Sequence, residues 1–297
     1  MRLRSLLFVP GDSERKLAKS VGVKSDVLIL DLEDSVVASQ KELAREKVRT
    51  YLANATDRSA TQVWVRINPV DLPEAMLDLA RVMSGAPNGI IQPKTRSPDD
   101  VIRLAHYLDA FEAQHGLPPG STKILPVATE TPEAIFSLGG FARCGARLAG
   151  LTWGAEDLST AVGAATNKQA DGNWSHPFQL ARSLCLFGAH AAGVPAIDTL
   201  FADIRDTAGL RAACAGARRD GFSGKIAIHP DQVAVINECF TPSPDEVAHA
   251  LRVIALFDAN PGVGTLAMEG QMLDIPHLRQ AQRIAAAADP SGIPRGG

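Results

Sequence analysis

Acidic side chains that could bind a metal ion stand directly after two aliphatic runs of the chain. Glu130 follows the fifth such run and Asp157 the sixth. If the runs are neighbouring strands, the two carboxylates can converge, and two carboxylates with water and substrate oxygens make a typical magnesium site. Each residue also precedes a helix start, where the helix dipole stabilises a carboxylate without any ligand. Spacing alone therefore leaves metal binding and helix capping equally open.

Two cationic side chains end the third and fourth runs. The planar guanidinium of Arg66 matches a carboxylate, so it could clamp an oxo acid bound at the metal. It could also pair with Asp31 or Glu33 on the adjacent strand. Lys94 would need a lowered pKa for Schiff-base chemistry, whereas surrounding carboxylates raise the pKa of a lysine, so we expect it to balance charge. His229, the last residue of the eighth run, is interpreted as a hydrogen-bonded end-of-strand histidine.

These residues need a scaffold that brings the ends of strands together. Eight short aliphatic runs alternate with helical patterns, which is typical of parallel strands covered by helices. No glycine-rich dinucleotide loop follows the first run, so an α/β fold of the closed (β/α)8 type, a TIM barrel, is favoured over an open sheet. The predicted strands are 5–10, 27–33, 62–67, 89–93, 123–128, 148–153, 194–199 and 225–229.

The chain continues beyond what a barrel needs. We predict a catalytic barrel domain over residues 1–240 and a C-terminal helical lid or subunit-contact extension over residues 241–297. A glycine-bearing stretch, 260–271, and a helix with Pro276 at its start follow the first helix of the extension. The last residues, 289–297, should be frayed. The first helix, 243–258, should bury one face, formed by Val247, Ala250, Leu251 and Ile254.

Composition argues against two classes of partner. The 30 Lys and Arg residues stand against 33 Asp and Glu, which gives a formal charge of −3 and no basic stretch. Nucleic acid is therefore not an expected partner. The apolar part of the N-terminus, residues 6–9, is too short for a secretion signal, and no later run approaches bilayer length. We expect a cytoplasmic protein.

Taken together, the motifs resemble the β-subunit of citrate lyase and its free-standing relatives in the HpcH/HpaI aldolase superfamily. The resemblance runs over almost the whole chain, and the order and spacing of the motifs make it specific. The matching stretches are RSLLFVPG at 4–11, DLEDSV at 31–36, VRIN at 65–68, PK at 93–94, ET at 130–131, Gly154 with DL at 157–158, AID at 196–198, GFSGK at 221–225, IHP at 228–230 and MLDIPH at 272–277.

The resemblance implies that Glu130 and Asp157 are ligands of Mg²⁺ and that Arg66 contacts the oxo-acid part of the substrate. In the malyl-CoA lyase and malate synthase-like relatives, the aspartate matching Asp274 is the catalytic acid/base, delivered by the lid and often from a neighbouring subunit. An N-cap for the helix that starts at Pro276 is the alternative role for Asp274. A homo-oligomer, a trimer or a hexamer, is also implied.

The implied reaction is cleavage of a citramalyl-, malyl- or citryl-type CoA thioester to acetyl-CoA and a 2-oxo acid. Three alternatives remain: a metal-dependent aldolase on free hydroxy-oxo acids, a malate synthase-like condensation, and the β-subunit of a multi-subunit citrate lyase that acts on an acyl-carrier thioester. The CoA tail needs cations near the rim of the barrel, and Lys16 and Arg4 are the candidates.

Overall fold

The computed structural model describes residues 2–55 and 57–288, and the segment predicted to be frayed, 289–297, lies outside them. The described chain forms two compact units, Leu3–Asn237 and a C-terminal unit that begins at Glu238. The first unit carries eight strands of one parallel sheet, and the second carries a two-stranded sheet with helices.

The eight parallel strands close into a barrel. They are β1 (Ser5–Pro10), β2 (Val27–Asp31), β3 (Gln62–Arg66), β4 (Gly89–Gln92), β5 (Lys123–Pro126), β6 (Leu151–Thr152), β7 (Ala196–Asp198) and β8 (Gly224–Ala227). Hydrogen-bonded neighbours follow the order β5-β4-β3-β2-β1-β8-β7-β6. The outermost strands meet through bridges from Ile124 to Leu148 and from Val127 to Thr152. The N–H of Ala128 also donates to the carbonyl of Thr152 at 2.8 Å. The predicted (β/α)8 barrel is thereby confirmed.

Most of the strands end earlier than their aliphatic runs predict. The second strand ends at Asp31 rather than at residue 33, because the chain turns there: the N–H groups of Glu33 and Ser35 donate to the Asp31 carboxylate at 2.9 and 3.3 Å. The sixth strand has two residues instead of the predicted 148–153. The chain leaves the sheet early at the rim where the polar side chains stand.

Helices follow the strands on the outside of the barrel, and the C-terminal unit has the helices α10 and α11 of its own. None of the described helices has the length and apolarity needed to span a bilayer. Several begin with a side-chain cap, such as Thr131, whose hydroxyl accepts from the N–H of Ala134 at 3.3 Å. The helices are α1 (Glu14–Ser20), α2 (Lys41–Asn54), α3 (Pro73–Val82), α4 (Pro98–His115), α5 (Pro132–Ile135), α6 (Glu156–Ala161), α7 (His176–Ala191), α8 (Thr207–Asp220), α9 (Pro230–Cys239), α10 (Pro244–Asp258) and α11 (Ile275–Ala288).

Side chains fill the interior of the barrel. Trp64 of β3 is completely buried, and Gly89 of β4 makes room for its ring: a Cβ at residue 89 would lie 2.5 Å from it. The filled interior is a core and not a pore, so chemistry is confined to the ends of the strands. The apolar cluster around Trp64 includes Leu6, Val27, Ile29, Ile91, Leu125, Ile197 and Ile226.

The C-terminal unit contains a β-hairpin that the sequence analysis missed. The stretch predicted as a glycine-bearing connection pairs as β9 (Thr265–Met268) with β10 (Gln271–Asp274), in antiparallel register. Glu269 and Gly270 form the turn with φ of 52° and 80°. Positive φ at both central residues is the geometry that matches the twist of a two-residue hairpin.

The buried face of α10 differs from the prediction. Leu251 was expected inside but is 54% exposed. The buried positions are Ala250, Val253 and Phe257, which pack with Leu273 of the hairpin. The buried face is therefore rotated about the helix axis relative to the predicted face, and this rotation leaves Leu251 exposed to solvent.

Candidate active site

Glu130 is a buried carboxylate just after β5, with 6% of its surface exposed. Its Oε2 accepts a hydrogen bond from the backbone N–H of Lys94 at 2.6 Å. Gly154 packs against it so closely that a Cβ there would lie 2.8 Å from its Cγ. Burial, together with the negative charges of Asp157 and Glu33, raises the pKa of Glu130 to about 8. A carboxylate that ionises at such cost is one that a bound cation would stabilise.

Asp157 lies in the first turn of α6, after β6, and is partly exposed. Its charge acts on Glu130, and the Nζ of Lys94 lies 3.3 Å from its Oδ1. The capping alternative does not hold for Glu130, because Thr131 caps α5. For Asp157 the helix dipole contributes as well, since the residue sits at an N-terminal turn. The structure thus brings the two predicted metal ligands to one region of the rim.

Arg66 is held by the carboxylates of the neighbouring strand. Its Nε and Nη2 donate to the two oxygens of Asp31 at 2.6 and 2.7 Å, and its Nη1 lies 2.9 Å from Glu33. The guanidinium also stands 4.7 Å from the centre of the Phe8 ring. The pairing alternative is therefore realised. A guanidinium has five N–H donors, so the contact with an oxo acid remains compatible with these pairs and stays a prediction.

Lys94 balances the acidic residues, as predicted. Its ammonium contacts Glu33 and lies 3.1 Å from Asp34 and 3.3 Å from Asp157. Burial lowers the pKa of Lys94, but the hydrogen bond and charge of Glu33 outweigh burial and hold the pKa above its ordinary value. A permanently protonated amine is not a Schiff-base nucleophile, so this environment supports the charge-balancing role.

Three other residues were singled out from the sequence, and one of them lies away from the rim. Arg4 precedes β1, and its N–H and Nε donate to Asp26, just before β2, at 2.8 and 2.9 Å. It therefore stands at the opposite end of the barrel from the carboxylates, and its assignment to the CoA tail is wrong. Lys16, in α1 beyond the end of β1, stays a prediction. His229 is 41% exposed and hydrogen-bonded to Asp231, in accord with its structural interpretation.

Asp274 is the last residue of β10, in the C-terminal unit. Its Oδ1 lies 2.5 Å from Nδ1 of His277, in the first turn of α11. The hydrogen bond from His277 lowers the pKa of Asp274, so the group is a carboxylate at neutral pH. The capping alternative is realised as well, through a long hydrogen bond: the N–H of His277, the third residue of α11, donates to Oδ1 of Asp274 at 3.5 Å. The acid/base role of Asp274 stays a prediction.

Asp198, the last residue of β7 and part of the AID motif, is the buried centre of an ion-pair network. Lys225 and Arg182 approach it at 2.7 and 3.1 Å, and Trp153 donates to it at 2.8 Å. Asp198 is thereby fully engaged in holding β7, β8 and α7 together. Gly154, in contrast, had no assigned role, although its place directly after a strand end could have suggested close packing against a site.

The residues present fit a magnesium ion that is bound by protein carboxylates together with water and substrate oxygens. Within the two described ranges, no group of three or more His, Cys, Asp or Glu side chains is arranged to hold a metal. Magnesium usually keeps several waters and uses only one or two protein carboxylates. The buried Glu130 and the adjacent Asp157 supply those two.

The fold and this rim define a TIM-barrel enzyme with an acidic site at the C-terminal ends of its strands. The model of the HpcH/HpaI aldolase/citrate lyase family matches residues 4–230, and that of a C–C bond lyase of the TIM-barrel fold matches residues 189–293. The chain belongs to the HpcH/HpaI aldolase/citrate lyase family. The resemblance is thereby confirmed, and with it the class of enzyme, a lyase of carbon–carbon bonds.

Individual relatives are similar over nearly the whole chain. Citrate lyase subunit beta of Escherichia coli K12 is 32% identical over 98% of this chain and 94% of the relative. Mitochondrial citramalyl-CoA lyase of Rattus norvegicus is 33% identical over 96% of this chain and 86% of the relative. The crystal structure of CitE from Mycobacterium tuberculosis, in complex with magnesium, acetoacetate and coenzyme A, is 32% identical, with a TM-score of 0.77 over 96% of this chain and 97% of that structure.

Proposed function

We propose that this chain is a magnesium-dependent lyase that cleaves a 3-hydroxyacyl-CoA thioester, of the citramalyl, malyl or citryl type, to acetyl-CoA and a 2-oxo acid. The observation that carries the proposal is the placement of Glu130 and Asp157 on one part of the rim, beside Arg66. The similar CitE structure, with its magnesium, acetoacetate and coenzyme A, supports the same combination of metal, oxo acid and CoA.

Glu130 and Asp157 would hold the cation, and their negative charge suits a divalent ion. Bound there, magnesium would act as a Lewis acid on the oxygen that becomes the carbonyl of the 2-oxo acid. Arg66 is fixed by Asp31 and Glu33, so its remaining donors are already oriented when a substrate carboxylate arrives. Such fixed donors stabilise negative charge without reorganisation.

The bond that breaks joins the hydroxyl-bearing carbon to the α-carbon of the thioester. The hydroxyl releases its proton to solvent as its carbon becomes a carbonyl, and the electron pair of the bond passes to the α-carbon, which takes up one proton to give acetyl-CoA. We assign that proton transfer to Asp274. Its lowered pKa keeps it a carboxylate, which can accept the proton of the α-carbon in the condensation direction. In cleavage the same carboxylate takes a proton from solvent and passes it to the α-carbon.

A second candidate is the β-subunit of a citrate lyase that works on an acyl-carrier thioester. The 32% identity to the Escherichia coli subunit over 98% of this chain favours it. The identity of 33% to citramalyl-CoA lyase supports the free-standing enzyme equally. Activity of the purified chain alone on free CoA thioesters separates the two, because an obligate subunit needs its carrier protein.

The test is an assay of the purified chain with citramalyl-CoA, malyl-CoA and citryl-CoA, with magnesium or with a chelator. We expect release of acetyl-CoA from at least one thioester and its loss on chelation. Release that persists in excess chelator would contradict the magnesium dependence. We also propose a homo-oligomer, a trimer or a hexamer, which light scattering on the eluted protein measures directly.

A further inference from the structure

Lys94 contacts both predicted metal ligands, and it does so through two different groups. Its backbone N–H donates to Oε2 of Glu130 at 2.6 Å. Its side-chain Nζ lies 3.3 Å from Oδ1 of Asp157. The same ammonium contacts Glu33 and Asp34, from the end of β2. One residue thus joins carboxylates that come from three different strand ends.

The backbone of Lys94 adopts a conformation that lysine seldom takes. Its φ is 48°, in the left-handed region, which among the described non-glycine residues is shared only by Ala86 and Glu269. Such a conformation costs about 1 kcal/mol and persists where surrounding contacts enforce it. Here the contacts are the bond from the N–H to Glu130 and the ion pairs of the ammonium. The strained residue therefore lies at the centre of the carboxylate cluster.

We propose that Lys94 is a positioning residue of the metal site: its N–H fixes Glu130, while its ammonium competes with the metal ion for Asp157. The inference rests on the proposed function, in which Glu130 and Asp157 are the magnesium ligands. In this arrangement Lys94 keeps the two carboxylates in the geometry that the metal needs, and a metal ion displaces its ammonium from Asp157.

The charges around Lys94 explain how one residue can both fix Glu130 and compete with the metal ion for Asp157. Four carboxylates lie around its ammonium and N–H, namely Glu33, Asp34, Glu130 and Asp157. They repel one another unless a cation stands between them. An ammonium and a divalent cation at the same carboxylates also repel each other. Removing the ammonium should therefore strengthen metal binding, whereas damage to a merely structural residue would weaken it.

The experiment measures the affinity for Mg²⁺ by calorimetry, without substrate, in four variants. K94M removes the ammonium and retains the backbone N–H. K94N does the same with a residue that tolerates positive φ, in case K94M folds poorly. K94R keeps the charge. K123M is the matched control, because Lys123 begins β5 at the other end of the barrel and its Nζ donates to the carbonyl of Ala146.

We expect K94M and K94N to bind Mg²⁺ about tenfold more tightly than the wild type, since a nearby positive charge is gone. K94R and K123M should bind like the wild type. Equal or weaker binding by both K94M and K94N would overturn the inference.

E130Q, measured in parallel, separates this inference from the proposed function. If E130Q binds Mg²⁺ as the wild type does, both the metal site and the role of Lys94 are overturned. If E130Q loses the ion and the Lys94 variants bind no more tightly than the wild type, only the role of Lys94 is overturned.

Discussion

Arg66 and Asp31 form a two-pronged ion pair across adjacent strands, with N–O distances of 2.6 and 2.7 Å. Asp31 is 1% exposed, so its negative charge is stabilised by Arg66 and not by water. The pair fixes the plane of the guanidinium at the rim of the barrel, next to the acidic cluster. Positioning of Arg66 is therefore built into the fold and does not wait for substrate.

Changing Asp31 to Asn should destabilise the protein by about 3 kcal/mol, because it leaves a buried guanidinium with only part of its compensation. The midpoint of urea unfolding measures the loss. D99N is the matched control, since Asp99 and its partner Arg143 are both exposed and such surface pairs contribute less than about 1 kcal/mol. Equal stability of the two variants would contradict a structural role for the pair.

Glu130 should make the stability of the chelator-treated protein depend on pH. Burial raises the pKa of Glu130 to about 8, so the folded state holds this proton more tightly than the unfolded state does. The resulting stabilisation is complete below the ordinary carboxyl pKa and is lost as pH rises towards the folded value. The difference in unfolding free energy between wild type and E130Q should therefore fall from about pH 5 to about pH 9. A difference that rises with pH would contradict this environment.

Gly154 should be intolerant of any side chain. A Cβ there would lie 2.8 Å from Cγ of Glu130, so G154A must push the carboxylate away. We expect Mg²⁺ binding to weaken at least about tenfold, as happens when groups that orient metal ligands are changed. Calorimetry measures this. G139A is the control, because a Cβ at residue 139 meets nothing within 4 Å. Similar affinities for both variants would show that Gly154 does not position Glu130.

Changing Asp274 to Asn should lower turnover by a factor of about 10² to 10⁴, because the thioester α-carbon loses its proton-transfer group. Mg²⁺ affinity should not change, since the ligands are on the barrel. E269Q is the matched control in the same hairpin, because Glu269 is exposed and pairs with the exposed Arg252 of α10. The rate of acetyl-CoA release by each variant measures its turnover. Wild-type turnover by D274N would remove Asp274 from the mechanism.

The sequence predicted the barrel well because parallel strands buried on both faces leave continuous aliphatic runs, such as 27–30 in β2. It predicted the strand ends less well, since the turn after Asp31 depends on hydrogen bonds to a side chain. The hairpin was missed because only one of its residues, Leu273, is buried, so alternation was weak. The Glu269-Gly270 turn was the signal that could have found it.

For the site, the sequence identified the candidate residues, and the structure showed the contacts between them. Glu130, Asp157 and Arg66 were identified from their places after strands, and the structure brings them to one rim. The left-handed backbone of Lys94 and the contact between Gly154 and Glu130 have no sequence signature, because both arise from tertiary packing. Arg4 was misassigned although it directly precedes the first predicted strand, 5–10, a position that already indicates the end of the barrel opposite to the rim.

The central claim is that Glu130 and Asp157 together bind the one metal ion that the reaction uses. Titration with Mn²⁺ as a paramagnetic substitute, followed by electron paramagnetic resonance, counts the bound ions directly. We predict one ion per chain for the wild type, displaced by excess Mg²⁺, and none for the double variant E130Q/D157N. Binding of one Mg²⁺-displaceable ion by the double variant would contradict the account.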